Sequence, residues 1–240
     1  MSTGFFPETA WSMVRAAQNL EGSQQLEAIN RWTAAYWRPV FHFIRARGYP
    51  LHRAEDLTQE FFLRFFERDW LARADQQRGR FRTFLLTVLT RFLADQSDHR
   101  APRQAVFDNQ QVAISALLHD SDRNFEPPVD RTPEEIFMRQ WARSVMAQVR
   151  RLMESWCVAR GRPDWYRMFS AMYPLDPGQP SLTKTALAQH LGVTRDQVRY
   201  GLEEVETKFI EFLRAELADQ VASPSELDQE IRDFRELLGN

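Results

Sequence analysis

A chain of 240 residues, 43% hydrophobic and 27% charged, has room for one large domain or two small ones around a buried core. Its formal net charge of −2 argues against a free-standing DNA-binding domain, which usually carries a clear positive excess. A single cysteine, Cys157, excludes an internal disulfide and a cysteine-cluster metal site, and it is expected to be buried and inert.

The opening "MSTGFFPETAW" lacks a basic start followed by an apolar run, so no secretory signal is expected. No apolar run is long enough for a membrane span, and a cytoplasmic location is the simplest expectation. Apolar residues recur at helical spacing nearly throughout, and alternating β-branched runs are absent, so the chain is predicted to be all-α. A first helix is expected to start near Thr9 and carry Trp11 and Val14. A second runs from about Ser23 to Arg45 through Leu26, Ile29, Trp32, Tyr36, Val40, Phe43 and Ile44, with Pro39 expected to kink or divide it. After a turn at Arg47–Pro50, "AEDLTQEFFLRFF" (Ala54–Phe66) forms a third, ending near Asp69. "RADQQRGR" is a polar connection, and Arg80–Asp98 is the next helix.

"HDSDRNFEPPVDRTP" (His119–Pro133) is acidic, contains proline and has no apolar period, so it is expected to be part of a linker between domains. Thr132, Pro133 and Glu135 then make a strong helix start: a cap, a first-turn proline and the glutamate of a capping box. The helix that follows is amphipathic through Ile136, Trp141, Val145, Val149 and Leu152. "GRPDWYRMFSAMY" is a further helix, "PLDPGQPS" a loop, and a short tail helix follows "ASPSEL". The division expected is residues 1–103, a linker at 104–132, a second domain at 133–222 and a tail at 223–240.

Charge is unevenly spread. Arg73–Arg103 holds seven arginines against three aspartates, net +4, whereas Gln104–Glu135 holds two arginines against seven acids, net −5. A basic block beside an acidic one points to a local polyanion site, the alternative being two ordinary solvated surfaces.

Three constellations carry chemistry. In the first, Asp56 and Glu60 with Leu63 share one helix face, Gln59 lies beside them, and Leu57, Phe61 and Phe65 share the inward face. The second is "RGRFRTFLLTVLTRFLADQSDHR". Phe81, Phe84, Leu85, Val88, Leu89, Phe92 and Leu93 form its core face, and the other face carries Arg80, Arg82, Thr83, Thr87, Thr90, Arg91 and Asp95. Basic and hydroxyl groups beside aromatics suit single-stranded DNA. Third, "ALAQHLGVTRDQVRYGL" resembles a helix-turn-helix. Ala188 sits at the crossing, Gly192 at the turn, and Leu187, Leu191, Val193, Val198 and Leu202 form the shared core. Thr194 caps the second helix, whose exposed start bears Arg195, Gln197, Arg199 and Tyr200.

Together these segments resemble the extracytoplasmic-function sigma factors of bacterial RNA polymerase. "AEDLTQEFFLRFF" is similar to the helix those factors dock on the polymerase clamp, which implies polymerase contact by Asp56, Gln59, Glu60 and Leu63. "FRTFLLTVLTRFLAD" is similar to the helices that capture the −10 element. This implies contacts from Thr87, Arg91 and Asp95, with Arg80 and Arg82 toward the DNA backbone. The helix-turn-helix is similar to the domain that reads the −35 element, implying Thr194, Arg195, Gln197, Arg199 and Tyr200 there. The implied partners are core polymerase and promoter DNA, with an anti-sigma factor a further candidate. Neither a membrane nor a small-molecule substrate is implied.

The recognition helix departs from the family, because Gly201, Glu203, Glu204 and Glu206 follow Arg199 and those acids repel phosphate. Either the −35 contact is confined to Arg195, Gln197 and Arg199, or this domain binds mainly protein. The alternatives are a helix-turn-helix regulator acting without polymerase and a helical adaptor with a degenerate DNA motif. An enzyme is not expected, and no cofactor is implied. His42, His52, His99, His119 and His190 are scattered, and no zinc-protease, P-loop, dinucleotide or nucleophile-elbow motif occurs. The tail, Ser223–Asn240, is left to cover the last domain or to regulate it.

Overall fold

Every regular element among the described residues of this computed structural model is a helix, and the fold is all-α. The structure describes residues 23–67, 80–98, 119–174, 178–218, 220–221 and 223–239. The helix expected near Thr9, the "RADQQRGR" connection up to Gly79 and the linker before His119 lie outside them. In chain order the helices are α1 (Ser23–Ala46), α2 (Leu51–Glu67), α3 (Phe81–Asp98), the short α4 (Asp120–Arg123), α5 (Pro133–Ala159), α6 (Pro163–Met172), α7 (Lys184–Leu191), α8 (Arg195–Ala218) and, after a 3-10 turn at Pro224–Glu226, α9 (Leu227–Gly239). None of these is long and apolar enough to cross a membrane.

The chain packs as two units, one running to Val145 and resuming at Leu217, the other Met146–Glu216. In the first, α1 supplies Tyr36, Val40, Phe41, Phe43 and Ile44, all buried. Pro39 does not divide this helix. The missing N–H of an interior proline costs about 3 kcal/mol, and the buried residues on either side hold the helical path against it. Ala54, Leu57, Phe61 and Phe65 of α2 and Phe81, Leu85, Leu89 and Phe92 of α3 are all buried, and the two helices meet through their rings, with Phe61 and Phe92 edge to face at 5.5 Å.

The segment His119–Thr132, expected as linker without apolar period, is docked on α1. Its Asp122 is buried and takes hydrogen bonds from Arg38 at 2.9 Å and from His42 at 3.0 Å. Phe125 lies 4.0 Å from the His42 ring, and Arg45 donates to the Phe125 carbonyl at 3.0 Å. The capping box expected at Thr132 forms: its N–H reaches Glu135 at 2.9 Å, and the Glu135 N–H reaches its hydroxyl at 3.2 Å. α9 also belongs to this unit, where Phe234 packs edge to face on Trp141 of α5 at 5.7 Å.

In the second unit, buried Val149, Leu152 and Met153 of α5 and Trp165, Met168 and Phe169 of α6 share the interior with Leu187, Val198, Leu202 and Val205. Arg150 donates to the Tyr173 carbonyl at 2.7 Å and lies over the Phe169 ring. Cys157 is buried, and desolvation, helped by nearby Asp164, pushes its thiol up to about 11, so it is inert at neutral pH.

Candidate functional site

The first unit presents two adjacent helix faces whose backs build one core. On α2, Asp56 is exposed, while Gln59, Glu60 and Leu63 are half-buried. Glu60 is tied down: Arg64 reaches it at 2.5 Å, one turn away, and Gln96 of α3 reaches it at 2.8 Å. The acidic stripe is therefore two kinds of carboxylate, one open to solvent and one bracing α2 against α3. Gln96 is a bracing residue that sequence pattern alone did not single out, because its role depends on the partner helix.

On α3, Thr83, Thr87, Arg91 and Asp95 recur at four-residue spacing and are all exposed. The Thr87 hydroxyl donates to the Thr83 carbonyl at 2.9 Å and that of Thr90 to Leu86 at 2.8 Å. Such back-bonding fixes the hydroxyl oxygens, whose lone pairs still face outward as acceptors. Thr87, Arg91 and Asp95 thus stand where the helical pattern puts them. Phe84 is half-buried against Phe65 and Phe81, at 6.4 and 6.1 Å, and does not lie in the fully buried layer expected of it.

The expectation that Arg82 lies on this exposed face is corrected. Arg82 is 3% exposed and forks onto the carboxylate of Glu230 in α9, which is 0% exposed; one arm measures 3.0 Å. Its guanidinium also lies over the Trp141 ring at 4.2 Å. Arg80, half-buried, donates to Glu230 at 2.9 Å and to Asp233 at 2.7 Å. Burial would raise the Asp233 carboxyl, but hydrogen bonds from Gln229 and Arg80 outweigh it and hold the group below the usual aspartate range. A helix-wheel reading could not anticipate this, because the partner lies 148 residues away in sequence.

In the second unit, Thr183 caps α7 through its hydroxyl, and Gly192 adopts the left-handed turn at φ 64° that its expected role requires. Ala188 and Leu187 are buried against Val198 and Leu202, while Leu191 and Val193 are half-buried. Thr194 caps α8 in a reciprocal box: Gln197 N–H donates to its hydroxyl at 3.2 Å, and its own N–H donates to the Gln197 side chain at 2.8 Å. Gln197 is therefore occupied locally. Arg199 is exposed but pairs with Glu203 at 3.3 Å and approaches Asp196 at 3.7 Å. Arg195 is exposed, and Tyr200, 53% exposed, meets Trp165 edge to face at 5.8 Å. A Cβ on Gly201 would stand 2.8 Å from the Trp165 ring, so this glycine is what lets α8 approach α6.

Among the described residues, no group of histidine, cysteine and carboxylate side chains is arranged to hold a metal ion. Compared with known families, residues 33–101, which span most of α1 and all of α2 and α3, match the model described as Sigma-70 region 2. No curated protein and no solved structure matches the chain.

Proposed function

We propose, from the match of residues 33–101 to Sigma-70 region 2, that the chain is a sigma factor of the extracytoplasmic-function type, which docks on bacterial core polymerase through α2 and holds melted −10 DNA on α3. The polymerase supplies the chemistry, and this chain supplies selection and grip.

The observation that carries the reading is the back-to-back use of two helices. Leu57, Phe61 and Phe65 are buried, Phe61 against Phe92 and Phe65 against Phe84 of α3, yet Asp56 on the same helix is exposed. Thr87, Arg91 and Asp95 are exposed on α3. A rigid core so shared lets polymerase docking orient the DNA-facing stripe. Opening DNA costs roughly 1.4 kcal/mol per stacked step, and stacking an unstacked base on an aromatic ring returns about 1–3 kcal/mol. Thr87, Arg91 and Asp95 offer hydrogen bonds and charge to the opened bases and backbone rather than a stacking face. Region 4-like reading of the −35 element falls to Thr194, Arg195, Gln197, Arg199 and Tyr200.

A second reading of the Met146–Glu216 unit, that it binds mainly protein, is favoured by the local pairing of Arg199 with Glu203 and of Gln197 with Thr194. Footprinting of the holoenzyme over the −35 region separates the two.

The test of the main reading is pull-down of core polymerase followed by promoter-specific run-off transcription. Asp56→Lys is expected to lose core binding with an unchanged thermal midpoint. A chain that captures no core polymerase, or an Asp56→Lys variant that captures it as well as wild type, defeats the docking assignment. An anti-sigma factor is a further candidate partner, to be sought by co-purification.

A further inference from the structure

The sigma-factor reading leaves α9 without a task, yet α9 sits on the basic start of α3. Its Glu230 takes both arms of Arg82 and the Nε of Arg80, and its Asp233 takes the Nη2 of Arg80. Two carboxylates thus occupy the fork-shaped donor sets that guanidinium groups otherwise offer to phosphate. We propose that α9 is an internal phosphate mimic, a releasable acidic latch that withholds Arg80 and Arg82 from nucleic acid until a polyanion displaces it. The inference rests on the reading of Arg80 and Arg82 as backbone contacts.

The attachment is of a kind that can let go. α9 is a helix of 13 residues with two buried side chains, Glu230 and Phe234. The buried pair contributes little net docking energy, because desolvating both charges offsets most of their attraction. The other described contacts of α9 include one ring on Trp141, the half-exposed Asp233–Arg80 pair, a hydrogen bond from Arg139 to the Leu237 carbonyl at 3.3 Å and the half-buried Leu227, Ile231 and Leu237 side chains. When α9 leaves, Arg82 still has the Trp141 face to rest on, 4.2 Å away, so the cation stays presented. The 3-10 turn at Pro224–Glu226 tethers the helix nearby, and re-closure is an intramolecular event at high effective concentration. The solvent-open groove beside the latch is lined by Arg80, Arg82, Arg131 and Arg139 together with Asp130, Glu135, Asp233 and Glu236, so a phosphate chain entering it competes with carboxylates for these arginines.

Hydrogen exchange of the α9 amides and binding of a fluorescent single-stranded oligonucleotide test this, using the full chain and its Asp233→Asn and Phe234→Ala variants. α9 is expected to be protected in the free chain and to lose protection at saturating oligonucleotide. Asp233→Asn is expected to tighten oligonucleotide binding up to about fivefold, the range of a half-exposed ion pair, and Phe234→Ala to tighten it further. If Phe234→Ala does not fold, Asp233→Asn, which keeps the ring, carries the affinity test alone. Unchanged protection with unchanged affinities makes α9 a fixed part of the fold and overturns the proposal, as does a chain that binds no oligonucleotide in any form. Core-polymerase pull-down of the same proteins judges the docking reading separately. Failure there with a gain in oligonucleotide affinity leaves the latch standing, and success there with equal affinities removes the latch alone.

Discussion

Asp56 and Glu60 stand one turn apart on α2 and do different work. Glu60 braces Arg64 and Gln96, so reversing its charge would disturb the α2–α3 contact as well as any partner. Exposed Asp56 is the cleaner probe. A second residue with a measurable signature is His42. Burial lowers its pKa from the ordinary 6.5 more than its hydrogen bond to Asp122 raises it, so the ring is neutral at pH 7 and donates from Nε2. For Asp122, burial pushes up, but the hydrogen bonds from His42 and the His119 N–H, with the Arg38 charge, push it below the usual 3.8. Both depressed values act in the same direction. His42's contribution is fully present above pH 6.5 and is lost as pH falls from there to its lower folded-state value, because the unfolded chain takes up the proton first. Asp122's is lost in the same way below 3.8. Urea unfolding should therefore show lower stability at pH 5.5 than at 7.5, and the difference should shrink in His42→Gln. An equal drop in that variant would place the sensitivity elsewhere.

At the scale of elements, helix starts and helix crossings make separate demands. The Thr132–Glu135 box satisfies two N–H groups that the start of α5 leaves open. Thr132→Ala is expected to cost about 1 kcal/mol, read as a lower urea midpoint with an unchanged slope. Gly201 makes the opposite case. Alanine would improve helix propensity by about 1 kcal/mol, but its Cβ would meet Trp165 at 2.8 Å and Met168 at 3.3 Å. Overpacking costs about 1–3 kcal/mol, so Gly201→Ala should be net destabilising in thermal unfolding. A raised midpoint would mean that Trp165 yields easily. The acidic run after Gly201 takes its meaning from the same element. Glu203 holds Arg199 and Glu206 accepts from the Tyr173 hydroxyl at 2.8 Å, so these carboxylates serve the unit's own structure.

For the molecule as a whole, charge decides how it meets DNA. A net −2 gives no long-range attraction for a polyanion, and Arg80 and Arg82 are already paired. Affinity resting on a few phosphate contacts falls steeply with salt. The chain alone is therefore expected to show no promoter-specific retention on gels at physiological ionic strength, whereas the chain with core polymerase protects promoter DNA in footprinting. Specific retention by the chain alone would favour the polymerase-independent regulator.

By itself the sequence determined what adjacent residues encode. The inward rings of α2, the exposed Thr87–Arg91–Asp95 stripe, the Thr132 and Thr194 caps and the Gly192 turn all follow from periodicity of 3.6 and from capping chemistry within a few residues. Tertiary structure alone decided which charges far apart in sequence meet. Asp122 finds Arg38 across 84 residues, and Glu230 finds Arg82 across 148. That is why an expected linker is docked on α1 and an expected surface arginine is buried under the C-terminal helix. The physical reason is that burying a charge is tolerable only where its counter-charge is brought to it, and no local pattern states from where in the chain that partner comes.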